Sequence, residues 1–196
     1  MATPRNKKSR ENTPRQAARR SATDEKITAA VLALGRREGL GAVSIDAVAA
    51  ESGVAKTTIY RRYDDRSQML DAVARELASP PEQDYPVTQA GLCELLAEIR
   101  EIFEAQVGIS AVGGILASQG EDLDEWQHRV VEPNLARLRS FFARGVKEGQ
   151  LRPEVDYEQL IEMITGGMFV SDALRDDVPE EWAPNLVALM WPTISR

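Results

Sequence analysis

The 196-residue sequence predicts an all-α protein of about nine helices in two parts. Apolar residues recur at three- and four-residue spacing in segment after segment, as on the buried face of a helix. No stretch alternates with period two, the mark of a half-buried strand. Gly and Pro separate the segments at intervals suited to short helix connections.

Composition narrows the class. A content of 43% hydrophobic and 28% charged residues is that of a globular chain long enough to bury a core. The formal charge of −7 is unevenly spread: residues 1–78 hold 15 Lys+Arg against 10 Asp+Glu, a balance of +5, which leaves −12 for the remainder. A basic module joined to an acidic one points to nucleic acid for the first and another task for the second. The single cysteine, Cys93, forms no intramolecular disulfide and fits a reducing compartment. No apolar run approaches the roughly 20 residues of a membrane span, and no apolar stretch follows the charged N-terminus. The expected location is cytoplasmic, on the nucleoid when bound to DNA.

Residues 1–22 carry Arg5, Lys7, Lys8, Arg10, Arg15, Arg19 and Arg20 with almost no large apolar side chain, and read as a disordered arm. The arm either adds phosphate or minor-groove contacts or is a solubilising tail. Thr23 is the expected N-cap of the first helix, with Asp24 and Glu25 in its first turn. Ile27, Val31 and Leu34 form its inner face and Gly39 closes it. Ser44 caps the second helix, with Ile45, Val48 and Ala49 inward.

Ala49 to Tyr63, AAESGVAKTTIYRRY, reads as a helix end, a turn at Ser52-Gly53 and a short second helix. At about 100° per residue, with Ile59 buried, Tyr63 and Ala55 fall on the core side. Thr57 and Arg61 then lie opposite, four residues apart on one line, and are the candidate base-edge readers. Thr58 on one flank, with Lys56 and Tyr60 on the other, is placed to reach phosphates. Arg62 completes the exposed set. Asp64-Asp65-Arg66-Ser67-Gln68 reads as a capping-box-like start of a fourth helix, with Met69, Leu70, Val73 and Leu77 inward.

Thr23 to Ala78 resembles the DNA-binding domain of the TetR family of bacterial transcription regulators. The motif is G-V-x-K-x-T-[LI]-Y-x-x-[FY], here Gly53-Val54-Ala55-Lys56-Thr57-Thr58-Ile59-Tyr60-Arg61-Arg62-Tyr63. The resemblance implies that Ser44 also contacts a phosphate and that Arg66 touches the DNA backbone at the start of helix four. Gly35 departs from the pattern, since the family places a large apolar or aromatic residue there.

Pro80-Pro81 ends helix four, and residues 80–87 read as a polar linker between a domain at 23–79 and another at 88–196. Leu92, Leu95, Leu96, Ile99, Ile102, Phe103 and Val107 mark a long amphipathic helix. Ile109 to Ser118, Leu123 to Lys147, Tyr157 to Leu174 and Glu180 to Ile194 repeat the pattern. Pro133 predicts a kink or break in the third of these five. Gly149-x-Leu151-Arg152 and Trp182 resemble features of the family's helical C-terminal domains. That resemblance implies a four-helix dimer interface from the last two helices and a cavity for a small effector before them. Ile161, Ile164, Gly167, Met168, Leu186, Leu189 and Met190 are the expected dimer residues, with Gly166-Gly167 allowing close backbone approach. Phe103, Trp126, His128, Phe141 and Met163 are the pocket candidates, each of which plain core packing would also explain.

One His and one Cys offer no metal cluster. No nucleophile elbow or phosphate-cradling glycine loop is present, so an enzyme, a cofactor and a metal are not expected. The reading is a homodimeric repressor that binds double-stranded DNA at a palindromic operator and is released by a small-molecule effector. Two other readings stay open: an effector-independent dimeric DNA-binding protein, and a regulator that binds a protein partner through its acidic half.

Overall fold

The computed structural model describes residues 14–77, 83–117 and 123–196, with side chains from residue 22 onward. Within these it is helical: α1 (Pro14–Glu38), α2 (Ile45–Ser52), α3 (Lys56–Tyr60), α4 (Arg66–Glu76), α5 (Gln89–Gln106), α6 (Ile109–Ala117), α7 (Asp124–Trp126), α8 (Glu132–Lys147), α9 (Tyr157–Arg175) and α10 (Trp182–Ile194). A π-helical turn, Gln127–Val131, joins α7 to α8 without interruption. Counting that rod as one gives nine helices among the described residues. Pro133 sits at the start of α8. A proline cannot donate to the preceding turn, and the ladder widens there instead of ending.

α1 starts ten residues earlier than the Thr23 cap predicts. Pro14 suits a first helical position, and Gln16, Ala17, Ala18, Arg19 and Arg20 are strong helix formers, so the helix propagates backward past Thr23. Asp24 lies inside the helix and finds another use, described below. The first 13 residues of the expected arm lie outside the described residues.

Ile27, Val31 and Leu34 of α1 are buried with Val48 of α2, Ile59 of α3 and Met69, Leu70 and Val73 of α4 in one small core. Gly35 lets Leu40 of the short 3-10 turn Leu40–Ala42 lie against α1: a Cβ at Gly35 would stand 3.0 Å from Leu40 Cδ2. The large residue absent at position 35 is replaced by a leucine from five residues on.

The second part packs α5 against α10, α6 against α9 and α8 against α9. Pro80-Pro81 lie outside the described residues, and α4 ends with Leu77 as its cap. The end of the expected polar linker is packed, not solvated, for Tyr85 and Val87 are both buried. Gln150 and Leu151 pair with the chain end: Arg152 N donates to Ile194 O (2.8 Å) and Arg196 N to Gln150 O (3.1 Å). This clasp ties the end of α10, which packs on α5, to the loop between α8 and α9.

Two contacts pin the parts together. Arg36 Nη1 donates to Ala105 O at the end of α5 (3.0 Å). The Trp126 indole N–H donates to Leu70 O in α4 (3.1 Å) from a fully buried position. The last turn of α5 and the α7–α8 rod's first turn therefore both abut the N-terminal part, so α5 runs toward it and the rod runs away from it. No described helix is long and apolar enough to cross a membrane.

Candidate nucleic-acid interface

Ser44 Oγ accepts from Ala47 N (3.1 Å), as the N-cap reading requires, and its own hydrogen remains for an outside acceptor. α2 ends at Gly53, whose φ of 68° only glycine adopts freely, with its N–H returning to Ala49 O. Ser52 tightens the turn: its hydroxyl donates to Val48 O and accepts from Val54 N. α3 leaves this turn held by Ile59, which is fully buried.

Around that anchor Thr57, Tyr60 and Arg61 are exposed, as the helical projection expects, and Thr58 is half-buried. Tyr60 is 54% exposed, so its phenol faces outward. Lys56 Nζ lies 2.7 Å from Asp46 Oδ1, but both side chains are more than half exposed. A surface pair of this kind is worth under about 1 kcal/mol and can be traded for a phosphate. Ser44, Tyr60 and Arg66 border one shallow hollow of about 390 Å³ where the starts of α2 and α4 meet.

Two placements depart from the projection, and Arg66, whose DNA contact only the family resemblance implied, also bonds within the protein. Ala55 is exposed, because it is the N-cap with ψ near 135° and lies outside the helix whose 100° step was applied. Arg62 turns inward: its Nε donates to Asp24 Oδ1 at 2.6 Å and the side chain is 13% exposed. Arg66 donates from Nε to Val43 O (2.6 Å) and from Nη2 to Leu40 O (2.7 Å). Both guanidinium groups brace the module from within, against acceptors more than 20 residues away that local periodicity does not reveal. Tyr63 is half-buried, and burial, then the carboxylates of Asp24 and Glu76, push its phenol above the ordinary tyrosine range. The capping box of α4 forms: Gln68 N donates to Asp65 Oδ1 (2.8 Å) while Asp64 N donates to Gln68 Oε1 (2.6 Å).

In the C-terminal part the pocket candidates do not converge. Phe103, Trp126 and Phe141 are fully buried, whereas His128 is exposed on the π-helical turn and Met163 is 64% exposed. Trp126 is committed to Leu70 O. The expected dimer residues also divide. Ile161, Ile164, Met168 and Met190 are buried within the chain's own fold, Leu186 is half-buried, and Gly167 and Leu189 are exposed.

The outward apolar face of α9 is instead Met163, Gly167, Val170 and Leu174, whose spacing of four, three and four residues keeps them within about 60° of one line. Val170 is 56% and Leu174 78% exposed. Gly167, Val170 and Leu174, with Trp182, Leu186 and Leu189 of α10, border a groove of about 660 Å³. Nothing lies within 4 Å of where a Cβ on Gly166 or Gly167 would stand. The outer stripe is legible in the sequence as a second apolar register of α9, beside the one that includes Ile161, Ile164 and Met168.

Sequence reasoning also missed a half-buried polar cluster between α5 and α8. Tyr85 Oη donates to Glu98 Oε2 (2.8 Å), and Arg137 Nη2 of α8 pairs with the same oxygen. Burial pushes the Glu98 carboxyl up, but the hydrogen bonds from Arg137 and Tyr85 outweigh it and hold the group below the usual carboxylate range. A polar side chain at two adjacent inward positions of α8, Asn134 and Arg137, was the signal available.

Comparison with known proteins agrees with this geometry. Residues 27–73 match the profile of bacterial regulatory proteins of the tetR family. Residues 83–190 match the tetracyclin repressor-like C-terminal domain, over half of the chain. The HTH-type transcriptional regulator YdeS of Bacillus subtilis (strain 168), itself uncharacterised, is 24% identical over 177 residues, covering 84% of this chain and 86% of its own. Among solved structures, the transcriptional regulator FadR from Bacillus subtilis in complex with stearoyl-CoA superposes with a TM-score of 0.61 at 14% identity, over 85% of this chain and 96% of that one. A TetR transcription regulator from Haloarcula marismortui gives 0.62 at 19%, over 90% and 100%. With a helix-turn-helix built on Gly53, an outward Thr57–Arg61 face and both domain profiles matched, this chain belongs to the TetR family of DNA-binding transcription regulators, which are not enzymes.

Proposed function

We propose that this regulator is a homodimeric repressor that binds a palindromic operator and is released by a small-molecule effector. The observation that carries the DNA contact is the outward face of α3. Thr57 and Arg61 read base edges, and Ser44, Lys56, Thr58 and Tyr60 hold phosphates. Arg62 and Arg66 set the pose of α3 and α4 from within. The dimer is supported by the groove between α9 and α10. Covering a side chain as exposed as Leu174 or Leu189 is worth about 1.5–3 kcal/mol, and a two-fold operator needs two recognition helices about one DNA turn apart. Release by an effector is supported by the Trp126 contact to α4, since a ligand that favours a different position of the α7–α8 rod shifts α4 with it. FadR, which shares the fold, was crystallised with stearoyl-CoA.

Footprinting of the full chain on the DNA upstream of its own and neighbouring genes, at two salt concentrations, tests the reading. A protected inverted repeat whose affinity falls steeply with salt is expected, with a log–log slope of about 0.9 per phosphate neutralised. A folded dimer that protects nothing there, or binds with a flat salt dependence, counts against it.

A further inference from the structure

The folded recognition module has no net positive charge of its own. Residues 1–22 hold seven Lys and Arg against one Glu, a balance of +6, so that of the +5 on residues 1–78 the stretch 23–78 carries −1. Most cations in that stretch are also in use within the protein. Arg37, Lys56, Arg62 and Arg75 each pair with a carboxylate, and Arg36 and Arg66 donate to carbonyls. Affinity for a duplex comes largely from neutralising its phosphates, and a module of charge −1 supplies little of it.

α1 holds the nearest further cations. Its last turn abuts the C-terminal part, where Arg36 Nη1 donates to Ala105 O and a Cβ on Gly108 would stand 3.3 Å from Arg36 Cα. Nearer its start, Asp24 Oδ1 accepts from Arg62, the residue after Arg61. From Asp24 the helix continues back to Pro14, ten residues or about 15 Å. It therefore extends past the end of α3, away from the C-terminal part. Pro14 to Thr23 contains Arg15, Arg19 and Arg20 and no acid. The buried stripe of Ile27, Val31 and Leu34 continues backward in seven-residue steps to Asp24 and Arg20, positions that a helix with more core to cover would make apolar. A solubilising tail needs neither a helix nor a single sign of charge.

We infer that this N-terminal extension of α1 is a second DNA-contacting element, which sets Arg15, Arg19 and Arg20 against the phosphates beside the groove that α3 enters. The inference rests on the DNA-binding reading above and adds the element that gives it most of its affinity. Phosphate contacts carry no sequence information, so the extension tightens binding to any duplex and leaves discrimination to Thr57 and Arg61.

The test titrates the full chain, over a range of salt, against DNA from upstream of its own gene and against a duplex of scrambled sequence. Arg15→Gln, Arg19→Gln and Arg20→Gln together keep good helix formers ahead of the first core residue, Ile27, so thermal melting is expected to match wild type. The triple variant is expected to bind both duplexes at least about tenfold more weakly at about 0.1 M salt, with a log–log slope lower by about 2–3 per bound protomer. Ala22→Pro keeps every charge. Proline suits a first helical position and disfavours helix in the residue before it, so α1 then starts at residue 22 and the preceding arginines are uncoupled from it. This variant is expected to fold and to lose about threefold or more in affinity for both duplexes. An unchanged slope in the triple variant, a loss confined to the upstream duplex, or an Ala22→Pro variant as tight as wild type would overturn the inference. Affinity for the scrambled duplex that falls in both variants, with no protected operator, would overturn the repressor reading and leave the role of the extension standing.

Discussion

The recognition module and the C-terminal domain treat their polar and apolar groups in opposite ways. Around α3 the inward arginines are used up: Arg62 on Asp24, Arg66 on the carbonyls of Val43 and Leu40. What remains outside is polar, Thr57, Arg61 and the Tyr60 phenol. In the C-terminal domain Asn134 Oδ1 and two Arg137 nitrogens are buried unpaired, while Leu174 and Leu189 stand 78% exposed. The module is complete as a single chain and presents a surface. The C-terminal domain leaves polar atoms unpaired in its interior and an apolar groove exposed.

The sharpest way to break this contrast is to charge the groove. Leu174→Glu with Leu189→Glu should convert a dimer to a monomer in sedimentation analysis. Each buried glutamate in place of a leucine loses about 1.5–3 kcal/mol of burial per protomer and adds a desolvation cost. The monomer should keep its helical circular dichroism, and a dimer surviving the double substitution would move the interface elsewhere.

Within the module, Arg66 and Arg61 should separate stability from recognition. Arg66→Met strands two carbonyls and removes charge-assisted bonds, at about 2–4 kcal/mol of folding stability by urea titration. Arg61→Ala should leave stability within about 0.5 kcal/mol and weaken operator binding by about 1–3 kcal/mol, roughly 10- to 100-fold. The reverse pattern would exchange their roles.

Trp126→Phe keeps an aromatic ring against α4 and deletes the N–H to Leu70 O. A loss of about 1–2 kcal/mol is expected, together with a smaller change in operator affinity on adding effector. An unchanged effector response would remove this contact from the coupling route.

The smallest effect is in acid. The folded carboxyl of Glu98 is held below its ordinary value of 4.5, so its contribution is present above that pH and is lost as pH falls toward and through the lowered value. Glu98→Gln should flatten stability against pH in that window and change little near neutrality. A curve parallel to wild type would refute the assignment.

The helices were legible because periodicity, Gly53 and the Ser44 and Asp65 caps are local signals that neighbours in sequence satisfy. The outward α3 face was legible for the same reason, since one buried Ile59 fixes the phase of the turn around it. Ala55 failed where the helical step stopped at the cap. Thr23 failed because propensity extended α1 past a cap-competent residue.

Fold class, charge division and the exposed recognition face are thus determined by the sequence alone, through short-range rules of spacing, capping and solvation. Tertiary structure decided which charged groups are spent. Arg62 finds an aspartate 38 residues away, Arg66 a pair of carbonyls in a distant turn, and Trp126 a carbonyl 56 residues back. It also decided which of two apolar registers of α9 faces inward, placing Ile161, Ile164 and Met168 in the core and leaving Met163, Val170 and Leu174 exposed. Both registers are apolar at helical spacing, and only the packing of α6 and α8 against one of them separates core from surface.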